Sequence, residues 1–169
     1  MALASLFATT GAAWATIPDG ACGTTVFDLL TQKTNTKVGT VTVANDSTNL
    51  YVEFDLTATE YKFDYLNVWA GTDTTTKGHP LSWPNHAVNV NATEYTYVLP
   101  LSSIGIVDTT NSCPTIYVAA FAALKDYPED PEGTSVTPAF AQGRYTLCCD
   151  QPPQIGECET AFAKGGYVF

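Results

Sequence analysis

The sequence predicts an all-β protein, an antiparallel β-sandwich of Ig-like or jelly-roll type with an N-terminal extension strand. Three observations carry that expectation. Only 14% of the 169 residues are charged while 45% are hydrophobic, and Thr, Val, Ala and Tyr dominate, a balance that favours extended chain over helix. Between Lys37 and Leu56 polarity alternates with period two about an Asn-Asp-Ser turn, the pattern of a β-hairpin. The remaining apolar runs are short, bounded by Gly, Pro, Asn or Asp, with no helical-period stripe between them. The length suits one domain with extensions.

Residues 1 to 17, MALASLFATTGAAWATI, carry no charge. They end in a small-residue site, Ala13-Trp14-Ala15, as a secretory signal does. No Lys or Arg precedes the apolar stretch, however, and Gly11 with Thr9 and Thr10 interrupts it, so a cleaved signal fits poorly. An uncharged segment kept on the mature chain needs burial, and the expectation is a polymerisation arm that inserts into a neighbouring subunit. Drawn as a strand, it presents Met1, Leu3, Phe7 and Ile17 on one face and Leu6 and Trp14 on the other. Burying about four to six such side chains at about 1.5 to 3 kcal/mol each is of the same order as the association cost of about 4 to 15 kcal/mol. Main-chain pairing with an open sheet edge would therefore have to make the contact durable. The alternatives are an arm folded back on its own domain and an uncleaved signal. Pro18-Asp19-Gly20 is a turn signal and serves as a hinge, leaving 21–169 as the sandwich domain.

Within that domain Val38, Thr40 and Thr42 alternate with Gly39, Val41 and Val43, Asn45-Asp46-Ser47 turns the chain, and Leu50, Val52, Phe54 and Leu56 alternate with Tyr51, Glu53 and Asp55. Further strands are expected at Tyr65–Trp69, Tyr95–Leu99 and Thr115–Phe121. The run Ile116 to Ala123 lacks polar residues on either face, which places it centrally with both faces covered. Its alanines let another element approach closely. The stretch Asp126 to Gly133 is acidic and proline-stiffened, hence an exposed loop.

Five cysteines, Cys22, Cys113, Cys148, Cys149 and Cys158, include no Cys-x-x-Cys pair, and adjacent Cys148 and Cys149 suit one tetrahedral zinc poorly. Disulfides in an oxidising compartment are expected. The odd count gives at most two bridges and a spare thiol, with connectivity open. Seventeen acidic against seven basic residues give a net charge of −10, and without a Lys/Arg cluster nucleic-acid binding is excluded. An acidic surface keeps a secreted chain soluble. No apolar run is long enough for a membrane-spanning helix.

The block Val38-Gly-Thr-Val-Thr-Val-Ala-Asn-Asp-Ser-Thr-Asn-Leu-Tyr-Val52 resembles a domain recurring in secreted and cell-surface proteins of environmental bacteria. Tyr65-Leu-Asn-Val-Trp-Ala-Gly71, Thr93-Glu-Tyr-Thr-Tyr-Val-Leu-Pro-Leu101, Cys113-Pro-Thr-Ile-Tyr-Val-Ala-Ala120 and Cys158-Glu-Thr-Ala-Phe-Ala163 match it in order. The resemblance spans about residues 36 to 163 and implies an extracellular β domain, with no catalytic residues. Relatives continue beyond the last segment. A short domain with an apolar arm is also similar in layout to pilins and to glycosylated extracellular fibrils whose subunits swap an N-terminal strand. The penultimate Val168 departs from the tyrosine that many chaperone-assembled pilins place there.

Three functions are weighed. The first is a structural subunit of an extracellular filament, a homopolymer built through Leu3, Leu6, Phe7, Trp14 and Ile17. The second is a secreted carbohydrate-binding or adhesin module, since Tyr61, Tyr65, Trp69, Trp83, Tyr95 and Tyr97 offer rings that can stack on sugars. Most of these read as core, and Trp83, in the loop Trp83-Pro84-Asn85-His86, is the candidate for an exposed ring. The third, an enzyme, has least support: His79 and His86 stand in a proline-containing loop with no nucleophile or metal spacing. Glu129, Asp130 and Glu132 read as a solvated loop, without a calcium-loop pattern. No cofactor is expected. Covalent glycans are expected at the sequons Asn45-Asp46-Ser47 and Asn91-Ala92-Thr93, Asn45 facing solvent in its hairpin turn, and Asn111-Ser112-Cys113 is a weaker variant.

Overall fold

The computed structural model describes residues 15–58, 60–106, 113–126 and 136–147. They form eight strands: β1 (Cys22–Thr31), β2 (Lys37–Asn45), β3 (Asn49–Leu56), β4 (Tyr61–Gly71), β5 (Asn85–Ala92), β6 (Glu94–Pro100), β7 (Thr115–Asp126) and β8 (Val136–Thr146). Short 3₁₀ turns occupy Thr74–Thr76, Pro80–Ser82 and Leu101–Ile104. The all-β class holds. The hydrogen bonds draw one continuous antiparallel sheet, in the order β5-β4-β7-β8-β1-β2-β3-β6, nearly closed like a barrel. Its two end strands, β5 and β6, follow one another in the chain across Thr93. No helix among the described residues is long and apolar enough to cross a membrane.

The hairpin read from the sequence forms as expected, with Val41 opposite Phe54 and Val43 opposite Val52. Asp46 makes its turn. The Oδ1 atom accepts from Thr48 N at 2.7 Å and Asn49 N at 2.6 Å, and Oδ2 accepts from Tyr51 Oη at 2.5 Å. Burial opposes the charge of Asp46, but these hydrogen bonds outweigh it and hold the carboxyl well below the usual carboxylate range. The turn Pro18-Asp19-Gly20 also forms, closed by Ala21 N donating to Pro18 O at 2.9 Å.

Inward side chains from both halves of the sheet meet in one core. Phe54 of β3 lies edge-on to Phe63 of β4, ring centroids 5.8 Å apart, and contacts Tyr97 of β6 at 6.1 Å. Tyr97 reaches across the core to donate to Leu66 O at 2.9 Å, and burial pushes its phenol well above its ordinary pKa. This bond ties β6 to β4 although the two strands are not neighbours in the sheet. At the sheet's fold line β1 meets β8 through only two pairs, Leu30 with Phe140 and Thr31 with Ala139. Beyond them Tyr145 fastens β8 to β1 and β2. Its Oη lies 3.0 Å from Cys22 O, 2.6 Å from Gly23 O and 2.7 Å from Asn45 Oδ1. Burial pushes the phenol up to about 12.

Three strands went unread in the sequence: β1, β5 and β8. Proline and glycine interrupt β8 at Pro138 and Gly143, and left-handed asparagines, Asn89 (φ 54°) and Asn91 (φ 50°), break the alternation of β5. Cys22 and Cys113 are disulfide-bonded. Cys148, Cys149 and Cys158 fall outside the described residues, as do Leu3, Leu6, Phe7 and Trp14 of the arm.

Gly39 is a position where the sheet leaves no room for a side chain. A Cβ there would stand 2.2 Å from the Asp55 carbonyl oxygen, which is backbone and moves only with β3. Gly39→Ala is expected to destabilise the domain by about 1 to 3 kcal/mol or more, read as a lowered urea midpoint. An unchanged midpoint would contradict the close approach.

Candidate functional site

The ladders set the outer face of β4, β7 and β8 residue by residue. Asn67 pairs with Phe121 and Phe121 with Phe140, Trp69 pairs with Ala119 and Ala119 with Gln142, and Gly71 pairs with Tyr117 and Tyr117 with Arg144. Successive strand residues point to opposite faces. Ile116, Val118, Ala120, Ala122 and Leu124 of β7 therefore enter the core, and Tyr117, Ala119 and Phe121 face outward. A solvent-facing sheet surface is ordinarily polar; this one carries a row of rings. Tyr65 meets Phe121 edge-on at 6.4 Å, and Phe121 meets Phe140 at 5.0 Å.

Residues 72–84, between β4 and β5, fold over one end of this face. Asp73 accepts from Thr75 N at 2.9 Å to start the first 3₁₀ turn, and His79 Nδ1 accepts from Leu81 N at 3.3 Å to start the second. Asn67 straps the segment down, its Nδ2 donating to Pro80 O at 2.6 Å and to Tyr65 Oη at 2.9 Å. Trp83 seals it. The indole is only 4% exposed, packed on Trp69 and Ala119. This is the covered, alanine-bearing strand expected of residues 116–123.

Between this segment and β8 lies a groove of about 670 Å³, within the range of small-molecule sites. Phe121, Phe140 and Leu81 supply its apolar surface, and Gln32, Lys77, His79 and Gln142 its polar groups. Leu81 is 63% exposed. Lys77 Nζ donates to Gln142 Oε1 at 3.0 Å across the groove. Among the described residues no Asp or Glu lines it.

The structure redistributes the residues singled out from sequence. Trp83 is not the exposed ring; it is a buried keystone, and the half-exposed rings are Phe121 and Phe140. Asn45 does not face solvent either. It is the last residue of β2, fully buried, facing Tyr145 Oη and donating from Nδ2 to Asp46 O at 2.9 Å, so no glycan has room on it in the folded chain. Asn91 is exposed at the end of β5. Trp69 belongs to the outer cluster, Tyr97 to the core with Tyr95 and Tyr61 against it, and Tyr65 to the outer row. His79 caps a turn and His86 is exposed on β5. Ile17 is half-buried in irregular chain before β1, while Glu129, Asp130, Glu132 and Asn111 fall outside the described residues. Phe121 sat inside a run read as buried, and Phe140 on a strand left unread. The alternation of Phe140, Gln142 and Arg144 with Ala139, Ala141 and Tyr145 was the available signal.

Two buried polar atoms on this side, Trp83 Nε1 and Asn67 Oδ1, have no hydrogen-bond partner among the described residues. Such an atom costs about 1 to 3 kcal/mol. Trp83→Ala is expected to destabilise by about 3 to 5 kcal/mol, whereas Trp83→Phe keeps a ring on Ala119, removes the orphaned N–H and costs far less. Urea unfolding of both variants checks this, and equal losses would contradict it.

No protein-family model, curated protein or solved structure matches the chain.

Proposed function

We propose that the chain is a secreted carbohydrate-binding or adhesin module that holds a saccharide along the outer groove. The observation that carries this reading is the half-exposed ring pair Phe121 and Phe140, bordered by amide, imidazole and amine groups. Aromatic faces take up the apolar face of a sugar ring, and side-chain amides and amines bond its hydroxyls. Glycoside hydrolysis ordinarily needs two flanking carboxylates, and the described residues bring none to the groove, which favours binding. In this reading the curled sheet works as an Ig-like or jelly-roll sandwich, β5-β4-β7-β8 facing β1-β2-β3-β6, with Asn91 as a glycan acceptor away from the groove. Saturable binding of the full chain to a glycan array is expected, and Phe140→Ala should abolish it while the chain still unfolds in a cooperative urea transition. No saturable binding, or binding that survives Phe140→Ala, overturns the reading.

A second reading, the filament subunit, is favoured by the edge of β6. In its ladder with β3, Leu56 N bonds Thr93 O and Leu101 N bonds Thr48 O. Tyr95, Tyr97 and Leu99 continue that register toward β3, which turns the peptide groups of Glu94, Thr96 and Val98 toward the open edge. Such a regular edge can receive a strand, here the arm of residues 1–17 from another copy. Thr96→Pro removes one edge N–H without touching the β3 ladder, and it should abolish filaments in electron microscopy while the monomer stays folded. Filaments that persist in this variant and after deletion of residues 1–14 would end this reading.

A further inference from the structure

The chain has 17 acidic and only 7 basic residues, yet the charged groups lining the outer groove and its extension are cations. Next to the groove a second hollow of about 320 Å³ shares Lys77, Ala119 and Gln142 with it and continues to Trp69, Tyr117 and Arg144. Among the described residues no carboxylate lines either one. Lys77 donates to the neutral Gln142 amide, and Arg144 Nη2 donates to Tyr117 Oη at 2.9 Å with its guanidinium 5.1 Å from that ring's centroid. Both cations thus rest on neutral partners. The ion pairs among the described residues join other groups, Lys37 to Asp28 at 2.6 Å and Lys125 to Asp64 at 3.6 Å.

Among the described residues the nearby acids do not pair with them. Asp28 borders Gln142 from the β1 side, but its charge is taken by Lys37. Asp73 accepts from the Thr75 amide and hydroxyl. In a protein with a large excess of carboxylates, two cations left on neutral partners along one ring-lined channel are matched by an anionic ligand.

We propose that the saccharide is a polyuronate. This rests on the groove reading above and names its ligand class. Sugar rings lie over Phe121 and Phe140, and carboxylates of successive units meet Lys77 and the free donors of Arg144. Two single cations along the channel suit one planar, singly charged group per ring, which a guanidinium fork matches in geometry. A densely sulfated chain would bring several charges per ring to a channel with two cations.

The test is calorimetric titration of the full chain with oligogalacturonate, with its carboxyl-reduced counterpart and with a sulfated oligosaccharide of equal length. Oligogalacturonate is expected to bind tightest and to weaken as salt rises. Lys77→Gln and Arg144→Gln should each weaken it roughly tenfold or more, the loss of one charge-assisted contact, while binding of the reduced oligomer is unchanged. If the reduced oligomer binds equally well and Phe140→Ala abolishes both, the groove reading stands and the polyuronate assignment falls. Tighter binding of the sulfated chain also overturns the assignment. If none of the three binds, both fall.

Discussion

β7 enters the core on one face and at Ala119 is roofed by Trp69 and Trp83 on the other, and the rest of the molecule is arranged around that constraint. A strand with side chains buried above and below can carry bulk on one face only if the other is thin at the same point. Ala119, Ala120, Ala122 and Ala123 supply the thinness. Inside, Ala120 and Ala122 leave room for large core residues from the facing strands. Outside, Ala119 forms the floor on which Trp69 and Trp83 lie. A larger residue at 119 would lift Trp83, and with it the segment that walls the groove.

That outer cluster obeys different rules from the core. The core is aliphatic and aromatic with its phenols tied down, Tyr97 to Leu66 O and Tyr145 to the β1–β2 corner. The first joins strands that are not neighbours in the sheet, and the second reinforces the nearly closed sheet where β1 and β8 share only two pairs. The outer cluster instead accepts two buried polar atoms without partners and leaves Leu81 in solvent. Folding alone does not ask for either. Local departures from polar satisfaction and from polar surfaces are where binding sites arise.

How far the sequence could be read follows from the same division. The hairpin β2–β3, strands β4, β6 and β7 and the two-sided cover of residues 116–123 were legible because their alternation or their unbroken apolar run is a direct image of burial. β8 was not, because Pro138 and Gly143 look like breaks; yet Gly143 is there because a Cβ would sit 2.1 Å from the Phe27 ring. β5 was hidden by asparagines whose left-handed backbone no pattern announces. The site failed for a subtler reason. Trp83 reads as an exposed loop aromatic by local context, but its burial is decided by Ala119, 36 residues away in the chain. Asn45 reads as a turn residue, and its burial is decided by Tyr145, 100 residues away.

The two open edges show how a nearly closed sheet manages its remaining liability. β5 is blunted: Asn89 and Asn91 turn left-handed, and a register shift separates Phe63 from Tyr65 in its ladder with β4. A partner strand would find no even row of donors there. β6 keeps perfect register with β3 over seven pairs and is interrupted only at its end, by Pro100. Tyr97, on this same strand, spans the core to Leu66 O, so the edge is held in place while its outer peptide groups face no strand among the described residues. Anchoring of this kind lowers the entropy a second strand would lose on pairing. The asymmetry between the edges is a property of the fold itself, and it assigns any strand addition to β6, on the opposite half of the sheet from the ring-lined groove.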